Sequence, residues 1–202
     1  MLTRALAAGV LLATLVLAVP TAATAGPLTT GERQRLVAHL EMTERWLVLE
    51  LDGLSDAQLT FKSAPDRWSI KDVVEHLAIA EPQYWAQLES SLKAPGKDGW
   101  KPQATDEQML WYGIDRTNRQ KTGEARVPHG QFASAKDSLA SFRKLRATML
   151  DKAKGSQEDF RGRPFLDSAQ DIYQWFLMIS THSQRHILQI LEVKADPGYP
   201  KK

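Results

Sequence analysis

Two histidines one helical turn apart, His182 and His186 in the run Ser180-Thr-His-Ser-Gln-Arg-His-Ile-Leu-Gln-Ile190, are spaced to hold a single cation. On one helix face their Cβ atoms stand about 5–6 Å apart, a separation from which two imidazole nitrogens can reach a metal at about 2.0–2.1 Å. A third ligand has to come from another element. His76, in Trp68-Ser-Ile-Lys-Asp-Val-Val-Glu-His-Leu-Ala78, is the best placed because it falls on the inward stripe of its own predicted helix. His39 lies beside its helix's stripe, and His129 follows a proline in a predicted loop. Three neutral imidazoles leave a coordination position open to water or substrate, as catalytic sites do and closed structural sites do not. The alternative is that all three are core residues whose ring nitrogens find hydrogen bonds.

Competing metal signatures are missing from the sequence. None of the three histidines has a glutamate three residues before it, as a di-iron bundle requires, and Ser183 follows His182 where a His-Glu-x-x-His protease needs glutamate. The chain has no cysteine, which removes thiolate ligands, a cysteine nucleophile and disulfides. The neighbouring charges carry less chemistry. Glu75 and Arg185 adjoin ligand candidates but point about 100° away from them, which suits flanking groups. Glu81 and Glu44 are expected to be solvated charges, and Gln189 either orients a histidine or edges the core. Trp68 reads as a helix-entry staple, and Trp175 is the tryptophan whose spacing supports a core position.

Elements that position these side chains follow from periodicity and caps. Helix one starts at Thr29 with Glu32 completing a capping box, carries Leu36, Leu40, Thr43, Leu47 and Leu51 along one face, and stops near Asp52-Gly53. Helix two starts at Ser69 with Asp72 and runs through Pro82, where a lost hydrogen bond predicts a kink. Residues 94–130 read as a long irregular connection with one short helix after Thr105. Helix three starts at Ser134, buries Phe142, Leu145 or Arg146, and Met149, and ends at Gly155. Helix four is expected from Asp167, with Ile172, Trp175, Ile179, His182, His186, Ile190 and Val193 as its stripe. Four amphipathic helices without a strand-rich segment predict an all-α, antiparallel four-helix bundle, in which sites form from inward side chains on facing helices.

The 202 residues, 43% hydrophobic and 25% charged, suit one globular domain. The net charge of +2 is spread along the chain, so no nucleic-acid partner is expected. Residues 1–25 read as a signal peptide: Arg4, an apolar run over 5–19, and Ala23-Thr-Ala25 before Gly26. The expected arrangement is an exported protein, periplasmic or extracellular, with one domain over residues 26–202 and no membrane association after cleavage.

Ala64-Pro-Asp-Arg-Trp-Ser-Ile-Lys-Asp-Val-Val-Glu-His-Leu-Ala78, followed about a hundred residues later by His182-x-x-x-His186, resembles the DinB-like superfamily of metal-binding four-helix bundles. The resemblance implies one divalent metal ion, zinc or nickel, held by His76, His182 and His186, and admits a homodimer. It also implies either metal-dependent hydrolysis or thiol-dependent transfer, acting on an unidentified small molecule. Because low-molecular-weight thiols are chiefly cytoplasmic, an exported member points first to hydrolysis by an activated water. A non-enzymatic metal- or ligand-binding bundle stays open as the alternative, and thiol transfer would require a basic pocket beside the metal.

Overall fold

The computed structural model describes residues 26–97 and 99–201, so the expected signal peptide lies outside the described residues. Four long helices, α1 (Thr30–Leu51), α3 (Ile70–Lys93), α5 (Ala135–Gly155) and α6 (Ile172–Lys194), form the bundle. Two short ones, α2 (Asp56–Thr60) and α4 (Asp106–Ile114), and a 3-10 turn at Glu124–Arg126 belong to the connections. No helix among the described residues is long and apolar enough to cross a membrane.

Helix starts obey local hydrogen bonding. Thr29 with Glu32, Ser69 with Asp72 and Thr105 with Gln108 form reciprocal capping boxes that satisfy amide groups left free by each first turn. At Ser134 the hydroxyl accepts from the Asp137 amide and donates to the Asp137 carboxylate. The last helix begins at Ile172 instead of after Asp167, because Asp171 is the residue whose carboxylate caps Gln174. Residues 160–171 instead make a compact turn: Leu166 adopts a positive φ of 51°, Pro164 bridges Asp171, and Phe165 stacks on Trp175 with ring centroids 3.7 Å apart. Helix α3 continues through Pro82, which is exposed, to Lys93.

Helix α1 packs against α5 and α6, and α3 packs against the same two, so α1 and α3 face one another across the diagonal. Arg143 pairs with Glu44, and Arg33 donates to the carbonyl of Ala153, which makes α1 and α5 antiparallel. Lys194 meets Glu50 and Tyr173 lies near Glu32, which makes α1 and α6 parallel. The pairs of α3 follow the same rule, antiparallel with α6 and parallel with α5, giving an up-down-down-up bundle.

Two apolar clusters fill the ends. Leu36, Leu40, Trp85, Leu88, Met149 and Phe176 belong to one, while Leu47, Val73, Leu77, Phe142, Ile187 and Ile190 belong to the other. Between them lies a buried polar layer centred on Arg146. Its Nη2 donates to both carboxylate oxygens of Glu81 (3.1 and 2.9 Å) and to the Ser183 hydroxyl (2.7 Å). Its Nη1 reaches Thr43 (3.4 Å) and Ser180 (3.5 Å). Glu81, expected to be solvated, is 0% exposed, as is Arg146. Burial raises the Glu81 carboxyl, and Arg146 and the Ser183 hydroxyl pull against that rise.

Removing one member of a buried pair leaves the other charge stranded, so Arg146→Met should destabilise the protein by about 3–5 kcal/mol. The double variant Arg146→Met/Glu81→Leu should recover most of that loss, measured as the urea unfolding midpoint with an unchanged m-value.

Candidate metal centre

His76 occupies the second turn of α3, and His182 and His186 lie at and just beyond the middle of α6. Because α3 and α6 are antiparallel neighbours, these segments meet side by side. The three histidines each offer a ring nitrogen, and these nitrogens all lie within 4.8 Å of one another. His76 Nε2 and His182 Nε2 are 3.3 Å apart. Two nitrogens bound at about 2.0–2.1 Å on one tetrahedral ion are separated by about 3.3–3.4 Å, so this spacing suits a shared cation. His39 and His129, set aside on sequence grounds, stay away. His39 bonds Ser180 and Gln184, and His129 is exposed with its ring on the Val127 carbonyl.

Hydrogen bonds outside the cluster select the tautomers. His76 donates its Nδ1–H to the carbonyl oxygen of Arg126 (2.8 Å), and His186 donates its Nδ1–H to Gln189 Oε1 (2.9 Å). Each bond turns the Nε2 lone pair toward the cluster, the usual way a protein aims imidazoles at a metal. His182 Nδ1 is buried without a partner among the described residues. Trp68 forms one wall, its ring 4.8 Å from His76 and 6.2 Å from His186, so it serves the site as well as the entry of α3. Tyr84 meets His182 edge-on at 5.2 Å.

The long connection closes the surroundings. Glu75, on the far side of His76, accepts the backbone N–H groups of His129 (3.1 Å) and Gln131 (2.7 Å). Arg185, beside His186, donates to the carbonyls of Tyr112, Asp115 and Asn118. Helix α4 lies close on α6 at Gly113, where a Cβ would stand 2.8 Å from Thr181 Cβ. Both charges flanking the ligands therefore tie down the connection. Trp85 instead packs in the core against Phe176, 5.3 Å between centroids, while Trp111 is 66% exposed and covers nothing.

The histidines open onto a cavity of about 960 Å³ whose walls also include Trp68, Tyr84, Tyr112, Arg126 and Gln189. Burial holds all three imidazoles below the usual 6.5, most strongly His182 and His186, and neighbouring positive charges add to the effect. They are neutral imidazoles at neutral pH.

Residues 28–190, which include all three histidines, match the family model of the DinB superfamily. This chain belongs to that superfamily. It is similar to the uncharacterized protein YuaE of Bacillus subtilis (strain 168), 29% identical over 150 residues that span 72% of this chain and 88% of YuaE. Among solved structures it resembles YfiT from Bacillus subtilis, described as a probable metal-dependent hydrolase with an unusual four-helix bundle topology. The TM-score is 0.56 at 18% identity, covering 86% of this chain and 91% of YfiT, a likeness of fold. The diagonal placement of α1 and α3 in this DinB-superfamily chain is itself a departure from a simple up-down meander.

Depressed imidazoles set a sign for pH dependence. Unfolded histidines titrate near 6.5, so on acidification the unfolded chain takes up protons that the folded chain resists. Their contribution is complete above about pH 6.5 and is lost as the pH falls toward the folded values. Asp171, raised to about 6 by burial, acts in the opposite direction and adds stability only below about pH 6. The metal-free protein should therefore show a melting temperature that falls as the pH drops below about 6.5, measured by calorimetry, with a shallower fall in His182→Asn.

Proposed function

We propose that this protein is a divalent-metal-dependent hydrolase in which His76, His182 and His186 hold the ion and a small-molecule substrate enters through the cavity. The observation that carries the reading is the convergence of three neutral imidazoles, two with fixed tautomers, at the wall of an open cavity. Family membership and the description of YfiT support it. Zinc or nickel suits an all-imidazole donor set, and the leader over residues 1–25 supports export.

A bound ion of this kind supplies a Lewis acid that brings the pKa of a water toward about 7 and polarises the bond under attack. The chain's own residues do the rest. Arg126 and Gln189 keep the His76 and His186 lone pairs directed inward. Tyr84, whose phenol burial holds above its ordinary 10, keeps its proton and serves as a donor to developing negative charge rather than as a base. Arg185 fixes the connection over the cavity and so shields the reacting groups from bulk water.

Thiol-dependent transfer is favoured by one observation, the surplus of arginine and lysine around the cavity. The two readings separate experimentally: hydrolysis proceeds without an added thiol, and transfer does not.

Elemental mass spectrometry of protein purified without a histidine tag should find one zinc or nickel per chain, lost in His182→Ala and His186→Ala and kept in His39→Ala and His129→Ala. Equal metal content in all four variants would sink the assignment. Chelation should abolish cleavage of an ester or amide panel in thiol-free buffer, and the missing metal should restore it.

Loss of an outer hydrogen-bond partner typically weakens metal binding 10–100-fold. Gln189→Leu should therefore raise the zinc dissociation constant by that factor in a chelator competition, with little change in far-UV circular dichroism.

A further inference from the structure

The wall of the cavity carries six cationic side chains, Arg67, Arg116, Arg119, Lys121, Arg126 and Arg185, against two acidic ones, Asp66 and Glu192. Glu192 is already committed to Arg116, which it meets through two bonds of 2.5 and 2.8 Å. The other five cations have no ion-pair partner among the described residues. Arg161 and Lys194, partly buried elsewhere, are paired with carboxylates: Arg161 meets Glu32, Asp106 and Asp171, and Lys194 meets Glu50. The chain as a whole is close to neutral, at +2, so the surplus is a local feature of this cavity.

Arg126 is the cation nearest the chemistry. Its backbone carbonyl holds His76, its guanidinium lies 4.7 Å over the Tyr84 ring, and that ring abuts His182. Gln83 takes its Nε, which orients the planar fork. Such a fork binds carboxylate or phosphate oxygens in pairs, and low-dielectric walls strengthen its field.

We infer that the substrate is anionic and bears a carboxylate or phosphate group that Arg126 receives. Arg67, Arg119 and Lys121 draw it in, so that the scissile bond is set beside the three histidines. This rests on the hydrolase reading for its reacting bond, but the anion subsite exists without the metal and is testable without it.

The test uses full-length, metal-free protein in 100 mM salt and measures binding by isothermal titration calorimetry with succinate, with inorganic phosphate and with the neutral isostere succinamide. The expected result is at least tenfold tighter binding of one or both anions than of succinamide. That preference should weaken at least tenfold in Arg126→Gln and fall with rising salt. Lys144→Gln, an exposed charge on α5 away from the cavity, should leave it unchanged. The source of the anionic group is read from which probe binds: succinate for a carboxylate, phosphate for a phosphoryl group. Succinamide binding as tightly as both anions, or a preference indifferent to Arg126→Gln, would overturn the inference. Anion preference in a protein that takes up no metal would sink the hydrolase reading alone, and metal uptake without anion preference would sink this inference alone.

Discussion

Arg146 is bonded to side chains from every other long helix of the bundle. Thr43 comes from α1, Glu81 from α3, and Ser180 and Ser183 from α6, and all of them are buried with the guanidinium between two apolar clusters. A buried ion pair is a poor source of net stability, because desolvating two charges offsets most of their attraction. Its effect here is on register. Apolar stripes of Leu, Ile and Val tolerate a slip of one turn, about 5.4 Å, by trading one contact for another. A slip of α3 against α5 would leave Glu81 and Arg146 without each other in a medium that punishes each unpaired charge by several kcal/mol, and a slip of α6 would take Ser183 away from both. Ser183 adjoins His182, and Glu81 lies little more than a turn beyond His76, so the register that pairs the charges is the one that brings the imidazoles together.

The bundle alone makes only one side of the site. Antiparallel α3 and α6 supply the three histidines, while the His76 tautomer and one wall of the cavity depend on the connection between α3 and α5. Arg126 reaches His76 through its carbonyl because the 3-10 turn at Glu124–Arg126 carries it there, and Glu75 and Arg185 anchor the flanking backbone. The arrangement also explains why residues next to a ligand, pointing about 100° away from it, are buried: they face the connection and not solvent.

Local signals in the sequence were strong where one residue decides the outcome. Thr29, Ser69, Thr105 and Ser134 mark helix starts because a cap is satisfied within three residues, and the stripe of α1 needs only its own period. The three histidines were legible for the same reason, as residues on stripes. The polar layer was not. Glu81 and Arg146 read as solvated or ambiguous charges, since a carboxylate is buried only when its partner is near, and that partner lies 65 residues away. Asp167 reads as the cap of α6 in the sequence, but a compact turn held by Phe165, Trp175 and the Pro164 bridge leaves the role to Asp171. Trp85 followed the same logic: its burial depends on Phe176 from another helix.

Charge at the cavity sets two demands against each other. The guanidinium groups that flank the histidines disfavour protonated imidazoles, which keeps the ligands ready, but the same positive field disfavours a divalent cation among them. Burial adds to both effects, because low dielectric lengthens the reach of every charge. The anionic group inferred for the cavity would resolve the conflict. It neutralises the field that opposes the metal, while the metal adds to the field that attracts the anion, so each favours the other's binding by the same factor. The neutral imidazole set makes this coupling larger than a carboxylate-bearing site would, since no ligand offsets the ion's two positive charges. A cavity with unpaired cations around uncharged imidazoles is therefore one whose electrostatics metal and anion would complete only together.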